Sequence, residues 1–184
     1  MYFSENFGLF MGAFVVWGFL MAMFFNLMLL GFKAKVDYKL VWTSVVMFTS
    51  YFISDSFHDL FISFEVYLKW FIYDLATLAM IIPVIWQRRT KVSPGVWYVI
   101  IGLSINSFLL LMMHVDTVVL NNSEPWWLWS VYSIGVNTSD LTMIVVLIVD
   151  KDILGLVKSY NSLNVWVRKA FSRNCLLHQG ALEA

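Results

Sequence analysis

Five blocks of mostly apolar residues, at 7–32, 40–61, 66–86, 96–115 and 126–149, set the pattern of the chain. A bilayer hydrocarbon core about 30 Å thick takes roughly 20 residues of helix at a rise of about 1.5 Å per residue, so each block predicts one transmembrane helix. Short polar stretches separate them: KAKVDYK at 33–39, QRRTKVSPG at 87–95 and DTVVLNNSEP at 116–125. The last two carry Pro with Gly or Asn, the usual turn formers. Connections this short leave no room for a separate soluble domain, and residues 1–150 are expected to form a single all-α, five-helix membrane bundle.

Past Asp152 the period changes. Ile153, Leu156, Val157, Tyr160, Leu163, Val167 and Phe171 recur three and four residues apart, while Lys158, Asn161, Arg168 and Lys169 take other positions. That spacing predicts a C-terminal amphipathic helix lying along cytoplasmic headgroups, with Trp166 beside its basic residues. The stretch SRNCLLHQGALEA at 172–184 has no period and reads as a tail, so 151–184 is a second region of helix and tail.

Composition agrees with an integral membrane protein: 60% of residues are hydrophobic, 18% aromatic and only 13% charged. A soluble domain carries about twice that charge. The single cysteine, Cys175, excludes an intramolecular disulfide, and no Cys/His tract suggests structural zinc. Net charge is zero, so there is no basic footprint for nucleic acid, which is not an expected partner.

The placement of charge says more than its sum. Lys33, Lys35, Lys39, Arg88, Arg89, Lys91, Lys151, Lys158, Arg168, Lys169 and Arg173 all fall on one side of an alternating five-span topology, and only Lys69 falls elsewhere. Basic residues gather on the cytoplasmic side, which predicts the N-terminus outside and the C-terminus inside. The opening MYFSENFGLFMG has no basic residue and runs into too long an apolar block for a cleaved leader, so the first block is expected to stay as a helix. Gly8 and Gly12 form a G-x-x-x-G pair there, which lets another helix approach closely, although glycine is common in membrane helices in any case. The first helix is therefore placed at the periphery or in a contact with a second copy or a membrane partner subunit. The surrounding lipid bilayer is the one partner all of this implies, in a cell membrane, with a bacterial inner membrane as the first expectation.

Ionisable groups inside a span cost several kcal/mol unless they face the bundle interior, reach water or pair, and so mark candidate sites. Here they are Asp55, His58 and Asp59 on the second block, Asp74 on the third, His114 on the fourth and Asp140 on the fifth. Helical spacing aligns them with other polar residues: Thr43, Ser50 and Ser54 beside Asp55; Trp70 and Thr77 beside Asp74; Asn106 in line with His114; and Ser130, Ser133 and Asn137 leading to Asp140. Counted from the outer ends, His58 and His114 lie within about 10 Å of the boundary, Asp74 about 12 Å down and Asp140 about 20 Å down. These positions predict an outward-opening polar cleft among helices two to five, with Asp55, His58 and His114 at its mouth and Asp74, Asn137 and Asp140 deeper. The shallow groups fit an ordinary helix end equally well, and the deep pair fits an interhelical hydrogen bond. Asp150 and Asp152 are expected to be solvated, and PWWLW at 125–129 to lie in the interfacial aromatic belt.

No phosphate loop, H-E-x-x-H or G-x-S-x-G sequence is present, so no catalytic residue is assigned. The cleft suggests a channel, transporter or sensor for a proton, cation or small polar ligand. A non-catalytic subunit acting through protein contacts is the alternative. A third reading is a membrane redox protein in which His58 and His114 hold haem or, with carboxylates, a divalent metal; neither has diagnostic ligand spacing, and no cofactor is predicted.

Overall fold

A computed structural model of the chain describes residues 2–34, 37–56, 66–86, 92–122, 124, 126–152 and 155, with side chains from residue 11 onward. The chain divides into two compact units, Met1–Lys151 and Asp152–Ala184. The amphipathic helix expected after Asp152 lies outside the described residues, as does His58.

The first unit is helical throughout its regular structure: α1 (Tyr2–Gly31), α2 (Tyr38–Ser56), α3 (Val66–Trp86), α4 (Pro94–His114) with a π-helical continuation (Val115–Val119), and α5 (Trp127–Val149). Local chemistry sets the ends. After α1 the chain turns at Lys33, whose φ of 55° is left-handed. There the N–H groups of Lys33 and Ala34 return to the carbonyls of Leu30 and Leu29, both at 3.0 Å, the paired closure that satisfies the last carbonyls of a helix. Asp37 opens α2, its Oδ1 accepting from the N–H groups of Lys39 at 3.1 Å and Leu40 at 3.2 Å. Pro94 stands in the first turn of α4, where its missing N–H is not needed. Asp150, which ends α5 with a φ of 47°, reaches across and accepts from the Gly95 N–H at 3.0 Å. A carboxylate at a helix N-terminus is favourable, so Asp150 ties the end of α5 to the start of α4 rather than being simply solvated.

Each helix packs on the next: α1 on α2, α2 on α3, α3 on α4, α4 on α5, and α5 back on α1. This closed ring corrects the peripheral placement expected for the first helix. Val15, Phe19 and Ala22 of α1 are buried in the core with Met47, Ile81, Leu103 and Leu147. The Asn26 amide donates to its own helix at Ala22 O and across to Leu147 O of α5 at 3.0 Å. Close approach occurs at Gly18, where a Cβ would fall 2.6 Å from Ile144 Cδ1, whereas Gly12 meets nothing within 4 Å.

Four of the helical segments, Met11–Gly31, Val66–Trp86, Pro94–Val119 and Trp127–Val149, are long and apolar enough to cross a membrane. The outer faces agree: Trp17, Phe24, Ile72, Phe108 and Ile134 are exposed large apolar side chains. Together these mark a membrane protein. α2 is not among the four, because its described part buries Lys39, Thr43, Ser44 and Ser50, which lower its hydropathy.

Asp116, expected in an outer loop, lies instead in the π-helical turn and is buried. Its Oδ2 accepts from the indoles of Trp126 at 2.9 Å and Trp129 at 3.2 Å, and its Oδ1 from Asn122 Nδ2 at 3.2 Å. Part of the tryptophan run thus clamps the α4–α5 connection. Asp116→Ala removes the acceptor for three donors and is expected to lower stability. Asp116→Asn, which keeps one acceptor oxygen, is expected to lose less. Thermal unfolding in detergent, followed by tryptophan fluorescence, checks the order.

Candidate functional site: a buried carboxylate pair

Asp140, near the middle of α5, is held from two sides. The Tyr51 hydroxyl of α2 donates to its Oδ1 at 2.7 Å, and Asn106 Nδ2 of α4 donates to the same oxygen at 2.8 Å. Asp74 of α3 is also buried, and its carboxyl lies within electrostatic reach of Asp140. Beside it the Ser50 and Thr77 hydroxyls meet between α2 and α3, and Thr77 Oγ1 donates to Tyr73 O at 2.7 Å. α1 adds packing: the Phe19 ring lies 4.6 Å from the Tyr51 ring, centroid to centroid. All five helices therefore build this centre, although only α2 to α5 supply its polar atoms.

Toward the Trp127 end of α5, aromatic rings stand near the pair. Tyr67 of α3 meets Tyr132 of α5 edge to face at 5.6 Å, and Trp70 meets Tyr67 at 6.3 Å. Tyr132 is within electrostatic reach of Tyr67, Asp140 and Asp74. Among the described residues no Lys, Arg or His acts on either carboxyl, so the pair has hydroxyl and amide neighbours but no fixed counter-charge. Two groups at this centre have spare capacity: Asn106 Oδ1 is buried without a hydrogen-bond partner, and Asp74 makes no hydrogen bond to a described residue.

The chain matches no family model, no curated protein and no solved structure. What the site can do must be derived from its geometry.

Of the six candidate residues, Asp74 and Asp140 are brought together. Asn137 is half-buried one turn away, but its amide donates to Ser133 O of its own helix at 2.6 Å. Ser130 and Ser133 are exposed, so the α5 stripe runs from the buried pair onto the outer surface of the ring. Asp55 is exposed and borders a groove of about 240 Å³ between α1 and α2, lined also by Trp17, Leu20, Phe48 and Phe52, away from the pair. His114 is half-buried at the end of α4 with its Nδ1 unpartnered, two turns beyond Asn106. His58 is outside the described residues, so the histidine pair considered for haem or metal cannot be assembled here. Among the described residues no group of three or more His, Cys, Asp or Glu side chains is placed to hold a metal ion.

Tyr51 is the site residue that sequence pattern did not single out. In a chain with 18% aromatic residues a tyrosine reads as apolar filler. The available signal was its place one turn before Asp55, beside Ser50, on a helix already rich in hydroxyls.

Proposed function

We propose that this chain is a small multi-pass membrane protein that works as a channel, transporter or sensor, with the Asp74–Asp140 pair as the group that binds and releases its cargo. The cargo class is a proton, a cation or a small polar ligand. The observation that carries this reading is two carboxyls buried in the middle of an apolar ring with no basic partner among the described residues. Such a centre is expensive in a bilayer unless it is used or neutralised. In the full reading the second apolar block, 40–61, is a fifth span. The basic residues then put the N-terminus outside and the C-terminus in the cytoplasm, with the chain in a cell membrane, a bacterial inner membrane in the first instance.

This reading requires a water path from outside to Asp140, past the half-buried Asn137. Ser130 and Ser133, exposed on the outer surface of the ring, favour the second reading, a subunit that hydrogen-bonds to a partner helix. Single cysteines in a Cys175→Ser background separate the two. With a membrane-impermeant thiol reagent added outside, Glu124→Cys, Ser133→Cys and Asn137→Cys are expected to react and Thr90→Cys to react only from inside. An unreactive Asn137→Cys would remove the water path. Reaction of Thr90→Cys from outside would reverse the orientation.

A further inference from the structure

We infer that the resident ligand of the pair is a single proton carried by Asp74, with Asp140 kept as the ionised member. This rests on the cargo-binding reading above and narrows it. The asymmetry lies in the hydrogen bonds. Asp140 Oδ1 is the acceptor for two donors, the Tyr51 hydroxyl and the Asn106 amide, an arrangement that stabilises a carboxylate. Asp74 has no such donors among the described residues, is buried though slightly less so than Asp140, and faces the Asp140 charge. Two carboxylates in a low-dielectric interior cannot both stay ionised without a cation, and the group with fewer donors is the one that keeps the proton.

The rest of the shell fits a proton better than a metal cation. A hard cation needs about six oxygen ligands. Tyr51 is already committed to Asp140, Thr77 to Tyr73 O, and Ser50 to Thr77. The anionic oxygens of the cluster are those of Asp74 and Asp140 alone, and no third His, Cys, Asp or Glu among the described residues joins them to hold a metal ion. Asn106 Oδ1 is the telling atom, because its residue is 98% buried and its amide nitrogen already sits on Asp140. It leaves an unused buried acceptor on the residue that donates to Asp140. The titratable groups facing the pair are Tyr51 from α2 and Tyr132 from α5, with Tyr67 of α3 behind Tyr132; α1 contributes Phe19 and α4 contributes Asn106.

Infrared spectroscopy of the purified full chain in lipid at neutral pH tests this. A protonated carboxylic C=O stretch, shifting on exchange into deuterium oxide, is expected in the wild type, absent in Asp74→Asn and retained in Asp140→Asn. Both variants are near-isosteric, and their helix content and unfolding temperature are followed alongside. A wild-type spectrum with no protonated carboxyl, or a band lost in Asp140→Asn but kept in Asp74→Asn, would overturn the assignment. So would loss of the wild-type band when sodium chloride replaces choline chloride at constant pH, since that would make the ligand a metal cation. The spectrum is independent of any transport readout. A proton found on Asp74 in a chain whose Asn variants work normally would keep this assignment and end the cargo-binding reading instead.

Discussion

Asp140→Asn is expected to abolish function while leaving the bundle assembled. Asparagine still accepts at its carbonyl oxygen from Tyr51 or Asn106, so the ties from α2 and α4 to α5 are kept in large part. What it cannot do is carry a negative charge or exchange a proton. Asp140→Leu loses both hydrogen bonds as well, and is expected to lower stability by about 1 kcal/mol, the scale of interhelical hydrogen bonds inside membranes. If the aspartate serves only to tie helices, the order changes: Asn is then nearly silent in function, and only Leu has an effect. Unfolding in detergent measured beside a functional readout separates the two, and a fully active, normally stable Asn variant would favour the interaction-subunit reading.

Gly102→Leu is expected to prevent assembly of the native bundle. A Cβ at Gly102 would fall 2.5 Å from Met143 Sδ, 2.7 Å from Met143 Cγ and 3.1 Å from Ser139 Oγ. Met143 is buried, and Ser139 Oγ donates to Gly102 O at 3.3 Å, so α4 and α5 meet here nearly backbone to backbone. Alanine can be accommodated by moving the flexible Met143, with a loss of about 1 to 3 kcal/mol typical of overpacking. Leucine needs the helices to separate. Asn106 is one turn along α4 and Asp140 lies between Ser139 and Met143, so separation also opens the Asn106–Asp140 bond. Size-exclusion profile and unfolding temperature in detergent report this, and a leucine variant as stable and monodisperse as the wild type would show that the contact is not tight.

The helical elements were legible because apolar run length is read directly by the membrane: α3 spans Val66–Trp86, the same residues as the third block, and α5 differs from the fifth by one. The ends of α4 were less legible. Its apolar run stops at Val115 in sequence, but the Asp116 carboxylate is satisfied by two indoles and an amide, and the helical path carries on through a π-turn. The place of α1 could not be read either. It is apolar on all sides, so no face distinguishes core from lipid, and burial of Phe19 and Ala22 is decided by shape at Gly18 and Ile144.

The same contrast holds at the site. Asp74 and Asp140 stood out because a carboxylate in an apolar span is rare, and helical depth placed them near one another. Their partners did not stand out. Asn106 appeared only as one step in a stripe leading to His114, while in the structure it turns to Asp140. Asn137 looked like part of the clearest stripe, but its amide is used by its own helix at Ser133 O. Spacing tells which residues share a face; which neighbour that face meets depends on the order of helices around the ring.

Ion flux through proteoliposomes is the most direct measurement of the central claim, that the Asp74–Asp140 pair binds and passes a cargo rather than only joining helices. Vesicles containing the wild-type chain and a trapped pH-sensitive dye are given an inward proton gradient with a potassium ionophore to dissipate voltage. Proton entry faster than in empty vesicles is predicted for the wild type, falling to the empty-vesicle rate in both Asp74→Asn and Asp140→Asn. Wild-type vesicles as tight as empty ones to protons and to sodium, with or without an imposed potential, would contradict the account and leave the pair as a structural tie.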